Sequence, residues 1–237
     1  MRTFPIAPFL RIRSGLFATV FLSIFFIAIP LTMAQEEPAL PDLSSSDIEK
    51  LHDGEILVEV DQGDDINRGV VIGLIQDPLN DVVTPVAECW EYASWRDNIS
   101  NTRLEDPLND EAGVILCSGT AETPFPASDR DGDFRVHNRT TTVDGQRSFV
   151  STFDYIEDSG NLADMHGYWI AYPYGENDEH TILKHVLNVD IGSWIPSFLI
   201  RWATRNTLPA TIWGIRKKLD ENGTRSDPLY WESYDYD

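Results

Sequence analysis

The chain has 237 residues, with 18 basic and 39 acidic side chains, and its formal net charge is −21 at pH 7. This charge excludes binding to nucleic acid through general electrostatic attraction, because neutralising phosphates requires a net basic surface. The 7 Trp, 8 Tyr and 11 Phe also exclude a disordered acidic chain, because such chains lack aromatic residues to bury.

The N-terminal segment has the three parts of a secretory signal peptide. A basic stretch with three arginines precedes an apolar run over residues 16–29, and residues 32–34 (Thr-Met-Ala) fit the small-x-small rule for cleavage. The run is shorter than the ~20 residues that span a bilayer, which favours a cleaved signal over an anchor. We therefore expect residues 1–34 to be a signal peptide, residues 35–43 to be an exposed leader, and the protein to be exported to the periplasm or the extracellular space.

The first part of the folded chain is predicted to hold two helices and a β-hairpin. A short helix capped by Ser46 or Asp47 comes first. The hairpin follows, with strands over residues 55–60 and 67–76. Asp77-Pro78 then begins a second helix, since Asp is a good N-cap and Pro suits the first helical position.

The middle of the chain is predicted to be a meander of six antiparallel strands. Turn signals, such as Asp144-Gly145 and the glycines at 160 and 175, separate strand-like runs. The predicted strands cover residues 102–106, 113–122, 133–143, 146–157, 165–175 and 179–190. Pairing of consecutive strands gives one strongly curved sheet.

The longest element is a helix predicted over residues 194–219. Apolar residues recur at helical spacing in two stripes, and Pro209 between them should kink or break the helix. The stripes are Ile195, Leu199 and Trp202, then Leu208, Ile212, Ile215 and Leu219. No acidic residue occurs in this helix, whose basic residues are Arg201, Arg205, Arg216, Lys217 and Lys218. These cations favour either a membrane-facing helix or a helix that complements the acidic remainder.

The chain has two cysteines, Cys89 and Cys117. An oxidising compartment would allow them to form one disulfide. Two buried free thiols are the alternative, and burial statistics favour it, because cysteine is among the most buried residues even without a bond.

Two stretches of the C-terminal half resemble the START lipid-transfer family, which belongs to the Bet v 1-like, or SRPBCC, helix-grip superfamily. Residues 123–131 (TPFPASDRD) look like the family's proline-rich lead into a Ser-x-Arg-Asp motif. Residues 190–200 (DIGSWIPSFLI) are similar to the family's Asp-x-Gly-Gly-x-Ile-Pro-x-Trp-Leu-Val stretch. The resemblance implies an α+β helix-grip domain over residues 44–225, in which a curved antiparallel sheet wraps around the long C-terminal helix. An acidic, aromatic tail would follow over residues 226–237.

The resemblance also implies a function. One apolar molecule, such as a sterol, fatty acid, phospholipid or carotenoid, would lie in a cavity between the sheet and the last helix. The protein would bind or transfer this lipid, with transient membrane contact through the C-terminal helix and with no nucleic-acid partner, cofactor, metal or catalytic residue. A cyclase or hydrolase that works in the same cavity is the alternative, because the superfamily contains such enzymes. A domain with a filled core is the third interpretation.

Alternation along the strands over 146–157 and 179–190 places one face of each toward the expected cavity. His185 is the ionisable residue on this apolar face. It could hydrogen-bond to a ligand, or it could be a neutral core histidine held by the backbone, and the second interpretation is favoured. The candidate ligand-binding residues are Phe149, Phe153, Leu183, His185, Leu187, Ile195, Phe198, Leu199 and Trp202.

Overall fold

The structure is a computed structural model that describes residues 36–62, 67–106, 113–123, 128–190 and 197–222, with the side chains of residues 62, 106, 197–205 and 222 not described. The predicted signal peptide and acidic tail therefore lie outside the described residues. The elements are α1 (Ser45–His52), β1 (Leu57–Gln62), β2 (Asn67–Ile75), α2 (Leu79–Ala87), β3 (Ile99–Asp106), β4 (Val114–Ala121), β5 (Arg130–Val143), β6 (Gln146–Tyr155), β7 (Asp164–Tyr174), β8 (His180–Asp190) and α3 (Ser197–Asn222). A 3₁₀ helix, Cys89–Ser94, lies between α2 and β3.

All eight strands form one antiparallel sheet in the order β1-β2-β8-β7-β6-β5-β4-β3. The predicted meander is confirmed, since β3 to β8 pair consecutively. The hairpin of β1 and β2 joins this meander at β8, with Asn67 opposite Val189 and Ile75 opposite Thr181. This pairing, which joins two strands far apart in sequence, was not predicted. It extends the inner face of the sheet under α3.

The helices that precede the meander begin close to their predicted positions but with different caps. Ser44 caps α1, because its Oγ accepts a hydrogen bond from the Asp47 amide at 3.2 Å while the Asp47 carboxylate accepts one from the Ser44 amide at 3.1 Å. The predicted caps at Ser46 and Asp47 are therefore wrong by two or more positions. Pro78, not Asp77, is the residue that precedes the first turn of α2.

Helix α3 continues through Pro209 as one helix, so the predicted break does not occur. Leu208, Ile212 and Ile215 lie on both sides of the proline's turn and are at most 1 % exposed. Burying this stripe against the core holds the helix together although the proline removes one backbone hydrogen bond. None of the described helices is both long and apolar enough to cross a membrane.

Gly73 sets how closely α3 approaches the sheet. A Cβ atom at this position of β2 would lie 2.5 Å from Cγ2 of Ile212.

The main core fills the space between the inner face of the sheet and the helices α2 and α3. Its members include Val71, Ile75, Val82, Val83, Val86, Trp95, Phe149, Trp169, Leu183, Leu208, Ile212 and Ile215.

The outer face of the sheet is covered by the segment that precedes α1. The Glu36 carboxylate accepts hydrogen bonds from Nε and Nη2 of Arg68, both at 2.9 Å, and Lys184 Nζ donates to the Ala39 carbonyl at 2.9 Å. Leu40 packs against a buried apolar cluster on this face. The leader predicted over residues 35–43 is exposed at Glu37, Ala39 and Asp42, but Glu36 and Leu40 also attach it to the sheet. The acidic and proline-rich composition of residues 36–43 gave no indication of these contacts with the apolar and basic outer face of the sheet.

Candidate functional site

The inner face of the sheet is packed at one end and encloses an open space at the other. This space, which we call the inner cavity, has a volume of about 500 Å³, a size typical of small-molecule sites. Its walls come from β3 to β8, from the 3₁₀ helix and the segment after it, and from Thr207 of α3. The segment 124–127 of the proline-rich motif lies outside the described residues.

The floor of the inner cavity is a row of three residues on neighbouring strands. Trp169 of β7 is paired with His185 of β8 on one side and with Ser151 of β6 on the other. One step further along the same face, Leu183 and Phe149 are 0 % exposed and belong to the main core. The floor therefore marks the boundary between the packed part of the fold and the open part.

The wall above the floor is apolar. Leu187 and Phe153 follow in the next row, on either side of Gly167, and Val189 and Met165 form the row beyond. A Cβ atom at Gly167 would overlap the backbone carbonyl of Val186 and would lie 2.8 Å from the Phe153 ring. The absence of a side chain at Gly167 therefore leaves room for this ring. The mouth is marked by two exposed carboxylates, Asp97 and Glu122.

The structure places the predicted ligand-binding residues in three groups. Phe153, His185 and Leu187 line the inner cavity. Phe149 and Leu183 lie in the main core and do not line it. Ile195 and the side chains of Phe198, Leu199 and Trp202 lie outside the described residues.

Sequence reasoning missed Trp169, Tyr92 and Arg96, which also line the cavity. The alternation of β7, which places Met165 and Trp169 on the same face, was a signal that could have identified Trp169. No periodic pattern marks Tyr92 and Arg96, because they lie in and after a short 3₁₀ helix.

His185 is a neutral imidazole in the cavity floor. It is 2 % exposed and stacks on Trp169, with ring centroids 3.8 Å apart and planes 4° from parallel. Burial, and secondarily the positive charge of Arg96, holds its pKa well below the ordinary value of 6.5. Its Nδ1 has no hydrogen-bond partner among the described residues. The low pKa agrees with the interpretation of His185 as a neutral histidine, but no described backbone group forms a hydrogen bond with its Nδ1.

Acidification is expected to destabilise the protein partly through His185. In the unfolded chain the imidazole binds a proton below about pH 6.5, but in the folded protein it does so only at a lower pH. The contribution of the neutral imidazole is therefore complete above pH 6.5 and is lost as the pH falls below it, with a slope of at most about 1.4 kcal/mol per pH unit. Thermal unfolding of the wild type and of His185→Gln between pH 8 and pH 5 measures this effect.

The two unfolding curves should run parallel above pH 7, which serves as the internal control. Below pH 6.5 the melting temperature of the wild type should fall faster than that of His185→Gln. A difference between the two proteins that stays constant down to pH 5 would show that His185 is not desolvated.

Arg96 brings a positive charge to the same cavity. Its guanidinium carbon lies 5.7 Å from the ring centroid of Tyr92 and 6.0 Å from that of Trp95. Tyr92 is fixed in turn, because its hydroxyl donates to the Val86 carbonyl at 2.8 Å and its ring meets Trp95 edge-on at 5.0 Å. Burial lowers the pKa of Arg96 and raises that of Tyr92. At neutral pH the phenol is protonated and the guanidinium, with its high intrinsic pKa, stays charged.

A disulfide between Cys89 and Cys117 closes one wall of the inner cavity. It joins the first residue of the 3₁₀ helix to β4, with the Cα atoms 6.3 Å apart, and both cysteines are buried. This separation is ordinary for a disulfide. The expectation of two free thiols is therefore wrong. The sequence could not show that β4 passes beside the end of α2, and this passage is what brings the two sulfur atoms together.

Arg130, from the motif that resembles the START family, is a buried residue at the end of β5. Its Nη1 donates to the carbonyl and to the hydroxyl of Ser128, at 3.0 and 2.8 Å. The neighbouring Asp131 carboxylate accepts a hydrogen bond from the Thr120 hydroxyl of β4 at 2.7 Å. These contacts hold the start of β5 against its neighbours, and Arg130 also lines the inner cavity.

The sequence matches no protein family and no curated protein, but the fold matches solved structures. The STAR-related lipid transfer protein from Xanthomonas axonopodis is similar over 70 % of this chain and 93 % of its own, with a TM-score of 0.59 and 17 % identity. Human StAR-related lipid transfer protein 5 is similar over 69 % and 86 %, with a TM-score of 0.52 and 10 % identity. The Zhui aromatase/cyclase from a Streptomyces species is similar over 69 % and 99 %, with a TM-score of 0.51 and 12 % identity.

These similarities define the class of fold. The curved eight-stranded antiparallel sheet with a long C-terminal helix against its inner face is the helix-grip arrangement. The chain has a START-like α+β fold, as its C-terminal motifs predicted.

Proposed function

We propose that this protein is an exported carrier that holds one lipid or other hydrophobic molecule in the inner cavity. The observation that carries this proposal is the apolar space of about 500 Å³ on the inner face of the sheet, walled by Phe153, Met165, Trp169 and Leu187. The same face is fully packed at its other end, around Phe149. Two of the similar structures are lipid transfer proteins by name, which agrees with a cavity of this kind.

Export is supported by the disulfide as well as by the signal-like N-terminal sequence. Disulfides persist in oxidising compartments and are rare in reducing ones. The bond between Cys89 and Cys117 therefore favours the periplasm or the extracellular space.

The chemistry of the cavity favours carriage over catalysis. Among the described residues that line it, His185 is the imidazole, and it is neutral and buried. The two carboxylates of the lining, Asp97 and Glu122, are exposed at the mouth. A general acid and a general base at the floor would have to reach the same region of a substrate. In the described floor, His185 is instead paired with Trp169, which is paired in turn with Ser151.

We also propose transient membrane contact through α3, but its support comes from an exposed tryptophan and not from the basic residues. Arg216 donates to the carbonyls of Leu74 and Gly54, and Lys218 Nζ donates to the Ser94 hydroxyl at 2.8 Å. These two cations therefore form hydrogen bonds within the protein. The side chains of Arg201 and Arg205, the basic residues of the first half of α3, are not described. Trp213, which is 55 % exposed on α3, supports membrane contact better, because an indole is favourable at a lipid–water interface.

Native mass spectrometry of the protein purified from the exported fraction, followed by organic extraction, tests the proposed function. We expect a hydrophobic molecule to leave with the protein and to be recovered unchanged. Leu187→Trp should fill the cavity and abolish this retention, because the larger ring occupies the space of the ligand. Thr142→Trp adds the same side chain at an exposed position of β5 and should retain the ligand as the wild type does.

Two outcomes would contradict the proposal. One is a wild type that yields no extractable molecule and shows no saturable binding of the neutral dye Nile red. The other is equal retention by the wild type and by a folded Leu187→Trp variant.

A further inference from the structure

The positive charge of Arg96 has no counter-ion in the described part of the chain. Its side chain lines the inner cavity, and its Nε is buried without a hydrogen-bond partner. Aromatic rings are its described neighbours, and no described carboxylate forms an ion pair with it. Contact with a ring face offsets only part of what a guanidinium loses when its five N–H donors leave water. A partly buried cation of this kind, with its Nε removed from water, is costly unless an anion joins it.

Two further polar groups in the cavity floor also lack partners. Nδ1 of His185 and Oγ of Ser151 are buried and have no hydrogen-bond partner among the described residues. The two residues are 2 % and 1 % exposed and flank Trp169. Buried polar groups in native proteins are almost always hydrogen-bonded, so unpaired groups need an explanation. Four such groups belong to the lining of this one cavity, because Nε of Arg96 and Nε of Arg130 are also buried without a partner among the described residues.

The inner cavity is therefore polar near its floor, apolar along its wall and acidic at its mouth. Arg96 lies near the floor, close enough for its charge to act on His185, and the floor itself carries the unpaired groups of His185 and Ser151. The wall, with Phe153, Leu187 and Val189, is apolar, and the second arginine of the lining, Arg130, is the first residue of β5. The acidic residues Asp97 and Glu122 are exposed at the mouth, where water solvates them. A molecule that matches this arrangement has a negatively charged end at the floor and an apolar chain toward the mouth.

We infer, on the basis of the proposed function, that the inner cavity binds a long-chain carboxylate, with its carboxylate on Arg96 and its chain along Phe153 and Leu187. A guanidinium and a carboxylate match each other in geometry, since two parallel N–H···O bonds can form between them. Near the floor one guanidinium, that of Arg96, balances the single charge of a carboxylate, whereas Arg130 of the lining already donates to the carbonyl and the hydroxyl of Ser128. A phosphate monoester carries about −1.5 to −2 at neutral pH and would leave negative charge uncompensated in an apolar space.

A comparison of four probes with the same chain tests this inference. The probes are hexadecanoate, its methyl ester, hexadecanol and hexadecyl phosphate, each used to displace Nile red from the delipidated wild type. We expect hexadecanoate to bind at least about tenfold more tightly than the ester and the alcohol, because the charge-assisted bonds to Arg96 are lost with them. In Arg96→Gln this preference should disappear while binding of the ester stays unchanged. Arg135→Gln, which removes an exposed arginine of β5, should behave as the wild type.

The wild type alone can overturn the inference, so the result does not depend on whether Arg96→Gln folds. Equal affinity for the acid, the ester and the alcohol would overturn it and would leave the proposed function intact. Tighter binding of the phosphate than of hexadecanoate, or a preference for hexadecanoate that survives in folded Arg96→Gln, would also overturn it. A wild type that binds none of the four probes would overturn the proposed function together with this inference.

Discussion

Replacing Ile212 by alanine is expected to lower the free energy of unfolding by about 2 to 5 kcal/mol. Ile212 is 0 % exposed and lies at the contact between α3 and the sheet, where its Cγ2 meets Gly73. Truncation removes buried methyl and methylene groups and leaves a space that the rigid sheet cannot close. Denaturant unfolding, followed by fluorescence of the tryptophans, measures the change. A loss below about 0.5 kcal/mol, which is usual for surface substitutions, would show that α3 does not pack on the sheet in this way.

The contact between Gly73 and Ile212 also predicts a coupling between the two positions. Gly73→Ala places a methyl group against Ile212 and should cost about 1 to 3 kcal/mol by overpacking. In the double variant the truncation of Ile212 makes room for the new methyl group, so the total loss should be less than the sum of the single losses. Ile212→Ala combined with Thr142→Ala, an exposed position four strands away in the sheet, is the control pair and should be additive. Additive losses for the Gly73 pair would contradict the close approach of α3.

Removing the disulfide, with Cys89→Ala and Cys117→Ala together, is expected to cost about 3 to 4 kcal/mol of stability. The bond closes a loop with a sequence separation of 28, and the unfolded chain gains the conformational freedom of this loop when the bond is absent. The two cysteines also line the inner cavity, so loosening this wall should weaken the binding of Nile red. Chemical unfolding of the wild type and of the double variant gives the stability difference.

A matched control for this prediction uses a reductant. The wild type should lose stability when dithiothreitol is added, whereas the double variant should not respond. The unfolded wild type without reductant should contain no free thiol, because the structure has no free cysteine. Detection of two thiols per chain in this sample would contradict the disulfide.

The candidate site shows how far local patterns can predict a binding surface. Alternation along β6 and β8 placed Phe153, His185 and Leu187 on the inner face, because side chains of a strand point to opposite faces with a period of two. The same pattern could not tell Phe149 from Phe153, which lie four residues apart on one face of β6. One of them contacts the helices in the core and the other faces the cavity, and this depends on where α2 and α3 cross the sheet.

Local sequence patterns were sufficient to predict the order of the strands in the meander, the turn at Asp144-Gly145 and the long C-terminal helix, and the two motifs were sufficient to predict the START-like fold. These features depend on interactions between residues close along the chain, such as turns and periodic apolar faces. Four features could not be predicted in this way: the pairing of β2 with β8, the disulfide, the continuity of α3 through Pro209 and the position of Arg96 in the cavity. Each of these depends on contacts between segments far apart in sequence, whose free energy outweighs the local preferences that a single sequence displays.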